Sequence, residues 1–190
     1  MSSETRRAIV EAAVAEFSEH GFDGARMDNV AKRAGCNKAL VYRYYTDKAG
    51  LFESALRSKF DGRSELLESI PEDLSEILAY WFSTTSDDPH FMRLIQREAL
   101  NDDGGEVVEQ PFRRSYYKRQ IEFLASLQDS GGVASELETR YLFLALLSLV
   151  VYPSSFPQIT RLATGQSPNG RAFRKGYAKF LHAFANQLEK

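Results

Sequence analysis

The residues whose types suggest a chemistry lie close together near the start of the chain, in a segment rich in positive charge. Between residues 32 and 48 a single acidic residue, Asp47, is outnumbered by the basic residues Lys32, Arg33, Lys38, Arg43 and Lys48. The tyrosines Tyr42, Tyr44 and Tyr45 lie among them. Ammonium and guanidinium groups bind phosphate, and a lysine also donates to O6 and N7 of guanine. The segment therefore has the donors that a nucleic-acid-binding surface needs.

The composition of the whole chain is that of an ordinary globular protein. Of its 190 residues, 43% are hydrophobic and 26% are charged, which is enough apolar material to bury a core. The formal net charge is only -2. Because the overall charge gives no support for nucleic-acid binding, the basic surface must be local.

Cysteine content and hydropathy indicate the compartment. Cys36 is the single cysteine, so the chain forms no internal disulfide, which is typical of a reducing compartment. No signal sequence opens the chain, and the most apolar stretch, residues 141–152, is far shorter than the roughly 20 residues of a membrane span. We expect a cytoplasmic protein with no membrane partner.

Apolar residues recur at three- and four-residue spacing almost throughout, which predicts an all-α protein of about nine helices. The first three helices are short, over residues 6–20, 27–34 and 37–45, and Asn37 is a favourable N-cap for the third. Asp47 begins a longer helix that runs to about residue 67. Further helices are expected to begin at Pro71 and at Asp87–Pro89, and to span residues 111–128, 135–151 and 170–188, with an interruption at 152–157.

The second and third helices are joined by the tight turn Ala34-Gly35-Cys36, a pattern typical of a helix-turn-helix. Small residues suit such a turn because the two helices meet at a steep angle. In this geometry the third helix lies in the major groove of DNA and its N-terminal residues reach base edges. We therefore expect a three-helix head in residues 1–50 and a helical bundle in residues 51–190.

The spacing of these residues resembles the DNA-binding domain of the tetracycline-repressor (TetR) family. The resemblance is carried by Arg6, Ile9, Ala12-Ala13, Phe17, Gly21-Phe22, Met27, Val30-Ala31, Ala34-Gly35, Asn37-Lys38, Val41 to Tyr45, Lys48 and Leu51. It implies a one-component transcription regulator, with a helix-turn-helix head and a second domain that senses a ligand and forms a homodimer.

The resemblance also implies which side chains contact DNA. Tyr42 would press on the sugar-phosphate backbone, Lys48 would hold a phosphate at the start of the fourth helix, and Lys38 would reach a base. The full predicted set is Arg26, Met27, Asn37, Lys38, Ala39, Leu40, Tyr42, Arg43 and Lys48. Tyr45 is also open to interpretation as an ordinary core aromatic, and Cys36 as a small packed residue.

Two positions depart from the pattern of the family. Arg26 stands where a serine or threonine usually caps the second helix, and Leu40 replaces a common threonine in the third. Arg26 could instead reach a phosphate or a base, and Leu40 could contact a thymine methyl group or simply pack. The DNA sequence recognised by relatives therefore does not transfer to this chain.

In the larger domain the pattern predicts a ligand pocket between helices. Its candidate lining residues are Trp81, Phe91, Gln96, Glu98, Tyr117, Phe123, Tyr141 and Tyr152. The alternative is that the aromatic members form solid core and that Gln96 and Glu98 are exposed.

The last two predicted helices have broad apolar faces, which a monomer's surface would not tolerate. The candidate dimer interface comprises Leu146, Leu149, Val150, Phe173, Tyr177, Phe180 and Phe184. The resemblance implies that these helices pair across a two-fold axis, and such an axis demands a near-palindromic DNA site.

The function that these observations favour is a homodimeric repressor that binds double-stranded operator DNA and is released by a small-molecule effector. No cofactor, metal site or catalytic residue is expected, since His20, His90 and His182 lack metal-ligand spacing and no nucleophile motif is present. One alternative keeps the head but has the larger domain respond to a protein partner. A less favoured one is an all-helical enzyme with a DNA-binding head.

Overall fold

The computed structural model describes residues 2–67, 73–101 and 104–188, and all its regular structure is helical. This confirms the predicted all-α class. The helices are α1 (Ser3–Gly24), α2 (Met27–Arg33), α3 (Lys38–Tyr44), α4 (Lys48–Leu67), α5 (Leu74–Asp87), α6 (Pro89–Ala99), α7 (Gln110–Asp129), α8 (Thr139–Ser155), α9 (Pro157–Thr164) and α10 (Arg171–Ala185).

The described residues contain ten helices where about nine were expected, because the predicted interruption at 152–157 is shorter than its composition suggests. α8 continues through Pro153 to Ser155, and only Phe156 separates it from α9, which begins with Pro157 at its first position. Proline suits that position because its missing N–H has no intrahelical partner there. The helix start expected at Pro71 lies outside the described residues.

Gly21 breaks the first helix at the position that its sequence suggests. Its backbone has φ 72° and ψ 179°, a conformation that is open essentially only to glycine, and the chain re-enters a helical turn before Gly24. The Gly21 carbonyl accepts a hydrogen bond from the Ala25 N–H at 3.2 Å. The break redirects the chain toward the start of α2.

The chain divides into two compact units, and the first comprises Met1–Glu65 and Arg93–Arg113. The core of this unit contains Ile9 and Phe17 of α1, Val41 of α3, Leu51 of α4 and Leu94 of α6, all completely buried. The helix-turn-helix is therefore packed on α4 and on the second half of α6. The domain division at residue 50 stays a prediction.

The second unit comprises Leu66–Met92 and Arg114–Lys190. α5 lies against both α10 and α8. The core of this second unit includes Leu78, Phe82, Phe143, Leu146 and Leu181. The Tyr177 hydroxyl donates to the Leu149 carbonyl at 2.9 Å and so joins α10 to α8. Burial raises the pKa of that hydroxyl.

Within the described residues, no single helix is long and apolar enough to cross a membrane. Only α8 and α9 taken together reach the necessary length and hydropathy, and they are bent by 88° at the break between them.

Candidate DNA interface

The turn between α2 and α3 is held by backbone hydrogen bonds and by one side-chain cap. The Cys36 N–H donates to the Ala31 carbonyl at 2.9 Å, and Gly35 has φ 67°, in the left-handed region that favours glycine. The Asn37 side chain accepts from the Leu40 N–H at 2.8 Å, which confirms Asn37 as the N-cap of α3. These contacts fix the direction in which α3 leaves the turn.

α2 is capped from another helix. Arg26 occupies its N-cap position and forms no side-chain cap. Instead Glu16, a completely buried residue of α1, accepts through Oε1 from the Arg26 N–H at 3.1 Å and from the Asn29 amide at 2.8 Å. Arg33 Nε lies 3.3 Å from the second carboxylate oxygen, Oε2. Glu16 therefore binds the backbone N–H at the start of α2 and faces Arg33 at its end, so it ties both ends of α2 to α1.

Most of the predicted DNA contacts are at the surface. The exposed members are Arg26, Asn37, Lys38, Ala39, Tyr42 and Arg43, and Leu40 and Lys48 are half-buried. Met27 is the exception: it is 7% exposed and packs in the core of the first unit. The prediction that Met27 contacts DNA is therefore wrong for its side chain, because the first position of α2 faces α1 rather than solvent.

The three tyrosines have different environments. Tyr42 is 44% exposed, whereas Tyr45 is 6% exposed and belongs to the core. The Tyr45 hydroxyl accepts from Arg6 Nε at 3.4 Å, and the Tyr44 hydroxyl donates to the Ser2 carbonyl at 3.3 Å. Tyr44 and Tyr45 thus hold the start of α1 against α3, and only Tyr42 presents its ring and hydroxyl to solvent.

Lys38 has an acidic partner that the sequence analysis missed. Its Nζ donates to Asp28 Oδ2 at 2.8 Å, and both side chains are substantially exposed. The hydrogen bond to Asp28 raises the pKa of Lys38 above its ordinary value. Asp28 lies in the first turn of α2, ten residues before Lys38, and no local spacing rule joins the two. Without DNA, the Asp28 carboxylate therefore binds the Lys38 ammonium group, which is the group expected to reach a base.

Lys48 is positioned by the last residues of α1, which follow the break at Gly21. Its Nζ donates to the Asp23 carbonyl at 3.0 Å and lies 5.1 Å from the centroid of the Phe22 ring. Asp47 accepts from the Gly50 N–H at 2.8 Å, as the sequence predicts for a residue that precedes the helix. The start of α4 therefore has an ammonium group beside the positive end of the helix, an arrangement suited to a phosphate.

The candidate pocket residues do not all share an environment. Trp81 and Phe91 are buried, and Gln96, Glu98, Tyr117 and Phe123 are half-buried. Tyr141 and Tyr152 are 72% and 45% exposed, so the prediction that they line an enclosed pocket is wrong for the protomer. Gln96 and Glu98 belong to the first compact unit, whereas Trp81, Tyr117 and Phe123 belong to the second.

The candidate dimer residues also divide by burial. Leu146, Val150 and Phe173 are no more than 6% exposed and lie in the core of the second unit. Their assignment to an intersubunit surface is therefore wrong, because helical periodicity does not tell an internal face from an intersubunit one. Phe180 is 48% exposed, and Leu149, Tyr177 and Phe184 are half-buried. The described residues contain no group of three His, Cys, Asp or Glu side chains that could hold a metal ion.

Fold and surface together define a helix-turn-helix protein whose third helix has an exposed face. Residues 9–55 match the family described as bacterial regulatory proteins, tetR family, and residues 73–179 match a tetracyclin repressor-like C-terminal domain. The chain belongs to the TetR family of transcriptional regulators, as its resemblance predicted.

Individual relatives are similar to this chain over most of their length. The HTH-type transcriptional repressor SCO4008 of Streptomyces coelicolor is 31% identical over 170 residues, which cover 87% of this chain and 86% of SCO4008. The probable HTH-type regulator YttP of Bacillus subtilis is 25% identical over 189 residues, covering 93% of this chain and 90% of YttP. The crystal structure of SCO4942 from Streptomyces coelicolor has the same fold, with a TM-score of 0.79 at 24% identity, over 95% of this chain and 97% of that one.

The pair between Asp28 and Lys38 generates a prediction about DNA affinity. We expect Asp28→Asn to strengthen binding to non-cognate DNA by about three- to tenfold at low salt, because it frees Lys38 and removes a negative charge from the DNA-facing surface. Affinity is measured by fluorescence anisotropy as a function of salt concentration. Glu122→Gln is the matched control, since Glu122 forms an exposed ion pair with Lys118 on α7. Equal effects of the two substitutions would remove the role assigned to Asp28.

Proposed function

We propose that this protein is a homodimeric repressor that binds a near-palindromic operator through α3 and is released by a small-molecule effector. The observation that carries the proposal is the exposed surface of α3, where Asn37, Lys38, Tyr42 and Arg43 face solvent on a helix held rigidly by the core of the first unit. The sign of regulation is supported by the similarity to SCO4008, a transcriptional repressor, which this chain resembles over most of its length.

Each group on this surface suits one kind of contact. Lys38 and Asn37 lie at the N-terminal end of α3, the end that reaches base edges in helix-turn-helix proteins. Tyr42 and Arg43 lie one turn further along, where a hydroxyl and a guanidinium group suit backbone phosphates. Lys48 adds a phosphate contact at the start of α4. The contacts proposed for Arg26, Ala39 and Leu40 would extend the same surface.

The DNA contacts are tested with substitutions on α3. We expect Lys38→Ala to weaken specific operator binding by about 1–3 kcal/mol, because a side-chain contact to a base edge is lost. Tyr42→Phe should weaken binding to all sequences more modestly, by about 1 kcal/mol, because a phosphate loses one hydroxyl donor. Affinity is measured on the intergenic fragment found by footprinting, at several salt concentrations.

Lys118→Ala is the control, since it also removes an exposed, ion-paired lysine, from α7 in the second unit. If Lys38→Ala and Lys118→Ala gave the same affinity and the same salt dependence, α3 would not be the recognition helix.

Dimerisation is proposed for the surface of α8 and α10. Leu144 and Tyr141 of α8 are 56% and 72% exposed, and Phe180 of α10 is 48% exposed. Large apolar side chains exposed on neighbouring elements of one unit are typical of an interface. Two copies that meet there would place two heads on one DNA duplex with two-fold symmetry.

A charged residue in this surface should separate the subunits. We expect Leu144→Glu to convert the dimer to a monomer at micromolar concentration, because it would bury a carboxylate in the interface, and to reduce operator affinity with it. Sedimentation velocity measures the first effect. Leu100→Glu is the control, because Leu100 is 79% exposed but lies just after α6 in the first unit. If the Leu144→Glu variant formed a dimer as stable as that of the wild-type protein, the interface would lie elsewhere.

The effector site is proposed for the second unit, around Trp81. The indole Nε1–H of Trp81 is buried and has no hydrogen-bond acceptor in the described part of the chain. The ring contacts Phe143 edge-on, with 6.2 Å between centroids, and Phe143 contacts Tyr117 at 6.3 Å. A buried donor without a partner costs about 1–3 kcal/mol, and an effector with an acceptor atom would recover part of it.

Trp81 is the single tryptophan of the chain, so its fluorescence reports on this site. In a screen of metabolites that carry carbonyl or carboxylate acceptors, we expect at least one compound to change that fluorescence, raise the melting temperature and weaken operator binding. Trp81→Phe should lose about fivefold in affinity for that compound, because one hydrogen bond is removed and the ring is kept.

A screen in which no compound shifts the melting temperature would favour the alternative in which the second unit responds to a protein partner.

A further inference from the structure

The first compact unit contains a cavity that neither DNA binding nor the effector site proposed around Trp81 uses. Its volume is about 420 Å³, and every described residue that lines it belongs to that unit. This volume lies within the range of roughly 300–1,000 Å³ that is typical of small-molecule sites. The apolar part of the wall is formed by Phe22, Phe52, Ile95, Val107 and Val108.

The polar part of the wall includes a buried ion pair. Arg113 is 8% exposed, and its Nη1 lies 2.7 Å from both carboxylate oxygens of Glu98. The same nitrogen donates to the Val108 carbonyl at 3.2 Å. Arg113 and Glu98 neutralise each other, so this pair forms a rigid wall and adds no net charge to the cavity.

The remaining charged groups of the wall are mainly acidic. They are the carboxylates of Asp23, Glu53 and Glu106 against the single guanidinium group of Arg97. Arg97 donates to the Glu19 backbone carbonyl at 3.1 Å. Within the described residues, the three carboxylates accept no hydrogen bond and form no ion pair. The cavity therefore combines two aromatic rings and aliphatic walls with an excess of negative charge.

We propose that this cavity binds an organic cation, a small molecule with an apolar body and an ammonium group. The body would lie between Phe22, Phe52 and Ile95, and the ammonium group would face the acidic rim. Aromatic rings attract cations at their faces, and each exposed carboxylate adds a modest attraction. An anion of the same shape would meet the excess carboxylates and would be repelled.

The position of Lys48 links this site to DNA binding. The Lys48 ammonium lies 5.1 Å from the centroid of the Phe22 ring and donates to the Asp23 carbonyl, and both residues line the cavity. A cation bound here has a like charge beside it, on the residue proposed to hold a phosphate. Occupation of the cavity and contact with a phosphate therefore act on the same side chain, and any coupling between them is reciprocal.

The test uses three probes of one shape: 1-naphthylmethylammonium, the neutral 1-naphthylmethanol and the anionic 1-naphthoate. Binding to the full-length protein without DNA is measured by calorimetry at low ionic strength, with probe up to about 1 mM. We expect the ammonium probe to bind about fivefold more tightly than the alcohol, and the naphthoate to bind most weakly.

Two substitutions locate the site. Glu53→Gln should reduce the preference for the ammonium probe over the alcohol, because one of the three carboxylates is neutralised, and leave the alcohol's affinity unchanged. Asp61→Asn is the matched control, because Asp61 is an exposed carboxylate on the same helix, α4, outside the cavity. Lys48→Met should strengthen binding of the ammonium probe by about threefold, because a neighbouring like charge is removed, and should not affect the alcohol.

Failure to bind any of the three probes would overturn the proposal, as would equal affinities for them or a preference for the naphthoate. The proposal would also be overturned if Asp61→Asn reduced the preference for the ammonium probe as much as Glu53→Gln does. The probe would then respond to the charge of the protein as a whole and not to the carboxylates of the cavity. None of these measurements involves operator DNA or the Trp81 effector, so their failure is distinguishable from failure of the proposed function.

Discussion

The arrangement of the DNA-binding surface depends on one buried carboxylate. Glu16 lies on the inner face of α1, and removing a carboxylate from water is costly unless its oxygens are well bonded. Oε1 accepts from the Arg26 N–H and the Asn29 amide, and Oε2 faces Arg33. These contacts fix α2 at both ends. Because the Ala31 carbonyl of α2 anchors the turn into α3, the orientation of the recognition helix follows from this network.

The network also bears on Arg26, which stands where the resemblance to the family predicts a serine or threonine. Arg26 forms no side-chain cap, but a carboxylate from another helix binds its backbone N–H, and its side chain is exposed. The departure at Arg26 was evident from the sequence, but the contact with Glu16 was not. The available signal was Glu16 itself, an acidic residue beside Phe17 on the apolar face of the first helix.

The helices and their local contacts could be predicted from the sequence better than the pairs of side chains at the surface, and the reason is physical. Contacts within a few residues, such as the Asn37 cap and the tight turn at Gly35, follow from local chemistry and were predicted. Pairs distant in sequence, such as Asp28 with Lys38, depend on how two helices pack, which no spacing rule encodes. The same limit explains the wrong assignments of Met27 and Phe173, since an apolar residue on a helix gives no sign of which neighbour covers it.

Charge at the head is local and balanced rather than uniformly positive. A net charge of -2 over the chain coexists with a basic segment in which Lys38 and Lys48 each have a partner before DNA arrives. DNA that bound both ammonium groups would compete with the Asp28 carboxylate for one and with the Asp23 backbone carbonyl for the other. The carboxylate contact is the costlier to lose, because its attraction to an ammonium group is charge-assisted. A guanine edge that repays this cost would be favoured over DNA that offers only phosphates, so Asp28 would favour sequence discrimination over raw affinity.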